Sequence, residues 1–100
     1  MEIWSPKQVI DAINSGQSMR LIDVREPYEY ADGHIPGAEL LPLGQVPGAL
    51  AKLRKEDTYV FVCRSGARSL RAAQFVASHG YPNVINMHGG MLSWQGNVER

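Results

Sequence analysis

The sequence predicts an α/β fold, a parallel sheet with helices on both faces. Three observations predict it. Short apolar and partly β-branched runs at residues 21–24, 59–62 and 84–87 read as strands covered on both sides. Segments with helical spacing lie between them, so strands and helices alternate, which is the pattern of parallel strands joined by crossovers. One hundred residues give enough chain for one modest core, expected as one domain over residues 1–100, and show no repeat, low-complexity tract or internal linker.

The elements follow in order. Ile3-Trp4 is a short apolar start. Ser5-Pro6-Lys7-Gln8 opens a helix: serine caps, proline takes the first helical position, and glutamine stands at the capping-box site. Val9, Ile10 and Ile13 should face inward and Lys7, Asp11 and Asn14 water, with Asn14-Ser15-Gly16 as the stop. Leu21–Val24 is the next strand, carrying polar Asp23 near its end and followed by Arg25. Glu26–Tyr30 reads as a short helical turn, with Glu26 and Glu29 solvated. The glycines and proline of Gly33-His34-Ile35-Pro36-Gly37 mark a tight irregular loop. Ala38–Leu41 is a short strand stopped by Pro42, and Gln45–Leu53 a helix with Pro47 near its first turn. Charged Arg54–Asp57 leads into the central strand, Tyr59–Val62. Beyond it Leu70, Ala73, Val76 and Ala77 share one helix face and Arg71, Gln74 and Ser78 another, with Gly80 as the stop and Pro82 beyond. Val84–Met87 is the last strand, and Gly89-Gly90 opens a short helix carrying Met91, Leu92 and Trp94.

Composition narrows the function. Ten basic and ten acidic side chains balance, which argues against nucleic acid or an anionic membrane as partner. One cysteine cannot form an internal disulfide, and no apolar run is long enough to span a bilayer. A cytoplasmic monomer is the expectation. The three histidines show no metal-ligand spacing and no phosphate-binding glycine loop is present, so neither metal nor cofactor is expected.

The lone cysteine, Cys63, stands between the central strand and the next helix. That is the carboxyl end of a parallel strand, where open α/β sheets place their ligands. The loop Arg64-Ser65-Gly66-Ala67-Arg68 runs from it into a helix N-terminus, whose free N–H groups and positive dipole end favour an anion. Arg64 and Arg68 add permanent charge, and Gly66 permits a tight turn. All of these stabilise a thiolate and lower the pKa of the thiol, and the same cradle would hold an oxyanion beside the sulfur. An inert core cysteine is the dull alternative.

Three segments in order resemble the rhodanese family of sulfurtransferases in its small single-domain form: Asp23–Tyr30 with Gly33–Ala38, Cys63–Ser69, and Gly89–Trp94. The resemblance covers the chain nearly end to end. It implies a five-stranded parallel sheet with flanking helices. It also implies that the Cys63 thiolate takes the outer sulfur of a donor such as thiosulfate, releases sulfite, and passes the sulfur from a Cys63 persulfide to cyanide or a thiol. Arg64, Ser65, Gly66, Ala67 and Arg68 are then the substrate-binding loop. An alternative is a relay module that receives sulfur from another protein or hands it to a carrier protein, with thiosulfate only a surrogate; a non-catalytic binding scaffold is a third.

Loop length separates this from related chemistry. Phosphotyrosine phosphatases place arginine after five intervening residues; here position 69 is Ser69, and Arg68 follows after four. The shorter loop suits a single sulfur better than a tetrahedral phosphate. Asp23 and Arg25 are expected as a structural pair tying loops together, with Ser69 as further support. His34 reads as a loop anchor, His79 as a helix-terminal residue and His88 as a loop residue; Trp4 and Trp94 read as core or rim.

Overall fold

The computed structural model describes residues 1–100. Five strands, β1 (Glu2–Trp4), β2 (Arg20–Asp23), β3 (Glu39–Leu40), β4 (Tyr59–Val62) and β5 (Val84–Met87), form one sheet in the order β1-β5-β4-β2-β3. Every pairing is parallel. The helices are α1 (Pro6–Asn14), α2 (Pro27–Ala31), α3 (Val46–Ala49) and α4 (Ala67–Ser78), and a closing 3-10 turn spans Gly90–Ser93. The predicted α/β architecture is the one observed.

Alternation along the strands divides the core into two layers. Tyr59, Phe61 and Cys63 point to one side, where they pack with Ile22, Val24 and Val84 against Ala72, Ala73 and Val76 of α4 and Val46 of α3. Val60 and Val62 point to the other, against Val9 of α1, Ile35, Ala38, Ile85 and Met87. Tyr59 to Val62 have no exposed surface. Burying a side chain of the size of valine or phenylalanine is worth roughly 1.5–3 kcal/mol, so β4 is the chain's strongest anchor. Cys63 follows it directly and inherits that rigidity.

Several expectations change. The apolar start is an edge strand, because β5 offers it a ladder: Glu2 pairs with Ile85 and Trp4 with Met87. The capping box of α1 forms as predicted, Ser5 Oγ accepting from the Gln8 amide at 3.1 Å and Gln8 Oε1 from the Ser5 amide at 2.8 Å. Ile13, expected inward, is instead exposed, because the layer is filled from α1 by Val9 and Ala12. The helix expected over 45–53 is a 3-10 turn, the single α-helical turn of α3 and a second 3-10 turn. Pro47 lacks an amide donor and Gly48 weakens the helix interior, so regular propagation fails there. The strand expected over 38–41 keeps only Glu39-Leu40 as ladder.

Candidate active site around Cys63

The start of the Cys63 loop is held by the closing turn, whose amides donate to it: Met91 N–H to the Cys63 carbonyl at 2.9 Å and Leu92 N–H to the Arg64 carbonyl at 3.0 Å. Gly90 makes this approach possible, since a Cβ there would lie 2.4 Å from the Arg64 carbonyl oxygen and 2.6 Å from that of Cys63. Gly90 also has φ +61° and Gly66 φ +102°, both in the region glycine adopts without steric cost. With its carbonyls fixed outward, the loop turns amides inward.

Those amides meet the sulfur. Sγ of Cys63 accepts from the Gly66 amide at 3.1 Å and the Ser69 amide at 3.3 Å, and lies 3.3 Å from Ser69 Oγ. Gly66 is the N-cap of α4, and no side chain caps that helix. The cysteine sulfur therefore occupies the place of a capping acceptor, at the positive end of the helix dipole. Burial pushes the Cys63 thiol up. The Ser69 hydroxyl and the amides of Ser69, Gly66 and Ser65 together outweigh it and leave the thiol below its ordinary value. The residue has no exposed surface. The sulfur is enclosed by polar donors rather than by apolar packing alone.

The residues expected in the loop separate into groups. Gly66 turns its amide to the sulfur, and the Ser65 amide helps hold the thiol down. Arg64 is exposed and forms no ion pair, and Ala67 is exposed. Arg68 gives Nη1 and Nη2 to the two oxygens of Glu29 at 2.7 and 2.9 Å. Glu29 was expected to be solvated. Instead the Arg68 hydrogen bonds, opposed by burial and aided by the Glu26 amide, hold its carboxyl down at about 2. Glu26 is exposed as expected. Ser69, expected as support, touches the sulfur directly.

Asp23 and Arg25 form the expected pair. Nε and Nη2 of Arg25 reach the Asp23 carboxylate at 2.8–3.1 Å, and Nη2 also donates to the Gly33 carbonyl at 2.8 Å. The side chains are 1% and 7% exposed, so the pair ties the end of β2 to the 33–37 loop from inside the protein. His34 is buried, stacked on Tyr30 at 3.7 Å, with Nδ1 donating to the Tyr30 carbonyl at 2.8 Å. His79 closes α4 on the Phe75 carbonyl, and His88 is exposed.

A shallow cleft of about 500 Å³ opens beside the loop, walled by Arg25, Tyr28, Glu29, Asp32, Arg64, Met91 and Leu92. The α2 side of this wall was not legible in sequence. Nor was Asn86, buried on β5, whose Nδ2 lies 3.5 Å from the Gly66 carbonyl. Its one signal was a carboxamide inside an otherwise apolar strand run. No group of three metal-ligating side chains occurs, and no helix is long and apolar enough to cross a membrane.

Comparison with known proteins agrees with the geometry. Residues 5–97 match the model of the rhodanese-like domain family. YtwF of Bacillus subtilis is 38% identical over 89 residues, covering 89% of this chain and 85% of that protein. A sulfurtransferase of Allochromatium vinosum is 38% identical over 78 residues, covering 78% and 73%. The chain spans 47% of the relative YrkF, so that protein has further sequence beyond the shared segment. The human single-domain sulfurtransferase TSTD1 superposes with a TM-score of 0.87 at 31% identity, covering 97% of this chain and 99% of that one.

Proposed function

The chain belongs to the rhodanese-like domain family, and from that premise we propose that it is a sulfurtransferase working through a Cys63 persulfide. Its relatives include proteins named as sulfurtransferases. The observation that carries the reading is the cradle: two amides and a hydroxyl within 3.3 Å of Sγ. Such a cradle stabilises a thiolate without a general base, and no histidine lies among the contacts of Sγ.

The proposed first step is attack by the Cys63 thiolate on the outer sulfur of thiosulfate. The new S–S bond forms to Cys63, the donor's own S–S bond breaks, and sulfite leaves with its electron pair. In the second step an acceptor thiolate or cyanide attacks the outer sulfur, and Cys63 departs again as thiolate. Charge balances in both steps and no external oxidant is needed. Arg64 is assigned to the donor anion, because Arg68 is engaged by Glu29 and Arg25 by Asp23. The amides of Ser65 and Gly66 are assigned to the reacting sulfur, with Ala67 as spacer.

Incubation with thiosulfate followed by intact mass tests this. A gain of one sulfur atom, removed by cyanide and absent from Cys63→Ser, is expected. Failure to gain sulfur from thiosulfate or from any persulfide donor would refute it.

A second reading, a sulfur relay between proteins, is favoured by the charge pattern. A dianion such as thiosulfate meets one unpaired guanidinium, Arg64, in a wall that also carries Asp32. A thiosulfate KM far above that for a protein persulfide would favour the relay.

A further inference from the structure

The cleft beside the Cys63 loop, which Arg64 borders, is larger than a small inorganic dianion needs and carries little net positive charge. About 500 Å³ lies within the range of sites that hold drug-sized ligands. Two of its charged wall residues are already neutralised, Arg25 by Asp23 and Glu29 by Arg68. What its wall presents uncompensated is the Arg64 guanidinium and the Asp32 carboxylate, which nearly cancel at a distance.

Its rim is apolar. The two most exposed large hydrophobic side chains of the whole chain are Tyr28, at 76%, and Leu92, at 63%, and both stand on this cleft. Half-buried Met91 lies beside Leu92. Tyr28 comes from α2 and Leu92 from the closing turn, so two separate elements bring the pair to the one cleft that Arg64 borders. An apolar rim around a polar reaction centre is the composition of a docking site, and aromatic residues are the side chains that anchor such sites.

We propose that Tyr28, Met91 and Leu92 form a docking rim for a polypeptide thiol, a segment presenting a cysteine beside one large apolar side chain and one carboxylate. The apolar side chain covers Tyr28 and Leu92, and the carboxylate meets Arg64. The proposal rests on the sulfurtransferase reading and names its acceptor class. The acceptor cysteine enters as thiolate and attacks the outer sulfur of the Cys63 persulfide. One S–S bond forms, the bond to Cys63 breaks, Cys63 leaves as thiolate, and any proton on the transferred sulfur travels with it.

The test loads Cys63 with sulfur from thiosulfate, removes excess donor, and follows discharge by intact mass. Three amidated peptides with one cysteine serve as acceptors, carrying leucine before and glutamate after it, glycine before and glutamate after, or leucine before and lysine after; glutathione and cyanide serve as small acceptors. Discharge by the leucine–glutamate peptide is expected to be about tenfold faster than by the glycine peptide, as follows from removing roughly 55 Å² of apolar surface from water. The lysine peptide should be slower than the glutamate one. The Tyr28→Ser, Leu92→Ser double variant should lose the leucine advantage while cyanide discharge stays within about twofold of wild type.

Equal rates for the leucine and glycine peptides, an advantage that survives in the double variant, or discharge by glutathione as fast as by the best peptide would each overturn the docking rim. In all three cases the persulfide has formed and the sulfurtransferase reading stands. A protein that never takes up sulfur removes that reading, and the docking rim with it.

Discussion

Ser69 offers the sharpest test of the sulfur cradle. Its hydroxyl has one proton and two acceptors within reach, Sγ of Cys63 at 3.3 Å and the Gly66 carbonyl at 3.2 Å. When the sulfur is a thiolate the proton belongs on sulfur, since a hydrogen bond to a charged group is worth about 1.5–3 kcal/mol against about 1 for a neutral one. The Gly66 carbonyl then keeps the Leu70 amide at 3.1 Å and the longer contact from Asn86. Ser69→Ala therefore removes one donor from sulfur, keeps the Ser69 backbone amide, and orphans no carbonyl. Because burial is the largest influence on this thiol and opposes ionisation, the loss is not absorbed elsewhere. Converted at 1.36 kcal/mol per pKa unit, it amounts to roughly a ten- to hundredfold fall in thiolate at pH values below both midpoints. The assay is the pH profile of iodoacetamide alkylation, unambiguous because the chain has one cysteine. The wild-type midpoint should lie below that of a free thiol and the Ser69→Ala midpoint above the wild type, with the two rates converging at high pH. An unchanged midpoint would show that the hydroxyl stays on Gly66 and that the thiolate argument from this residue is wrong.

Four further outcomes are expected. Arg64→Ala should lower sulfur uptake from thiosulfate by about one to two powers of ten through loss of a charge-assisted contact, with Tm unchanged because the side chain is exposed. Asp23→Asn strips the charge from a pair only 1% and 7% exposed, so chemical denaturation should show a loss of about 3–5 kcal/mol. Gly90→Ala forces a Cβ onto the Cys63 and Arg64 carbonyls at φ +61°, and should cost about 2–4 kcal/mol and slow alkylation of Cys63 as the loop shifts. Glu29→Gln should cost about 1 kcal/mol at neutral pH, a figure reduced for the partly exposed Arg68. The sign follows from a carboxyl held at about 2 against an ordinary 4.5: the stabilisation is complete above the ordinary value and lost as pH falls toward 2, so wild type and variant should converge in acid.

Much of this molecule is written locally. The capping box of α1, the apolar run of β4 and the Gly80 stop of α4 depend on neighbours within a few residues, and all three form where sequence patterning puts them. The order Cys63, Gly66, helix start is local too, so a sulfur at a helix N-terminus was legible. The strand β1 was not, because three residues have no measurable period and become a strand only when β5 supplies hydrogen bonds. The segment 45–53 failed for the opposite reason: its helical spacing was real, but Pro47 and Gly48 break propagation.

Sequence alone determined the sheet class, the placing of Cys63 at a strand's end before a helix, and the loop that encloses it, since these follow from periodicity and from residues at most six positions apart. Tertiary structure decided which charges are free. Glu29 and Arg68 are distant in sequence, as are Cys63 and Met91, yet one pair neutralises a carboxylate of the cleft wall and the other fixes the direction of the loop carbonyls. Coulombic pairing and hydrogen bonding depend on distance in space, and that distance exists only once the sheet has brought α2, α4 and the closing turn to one edge.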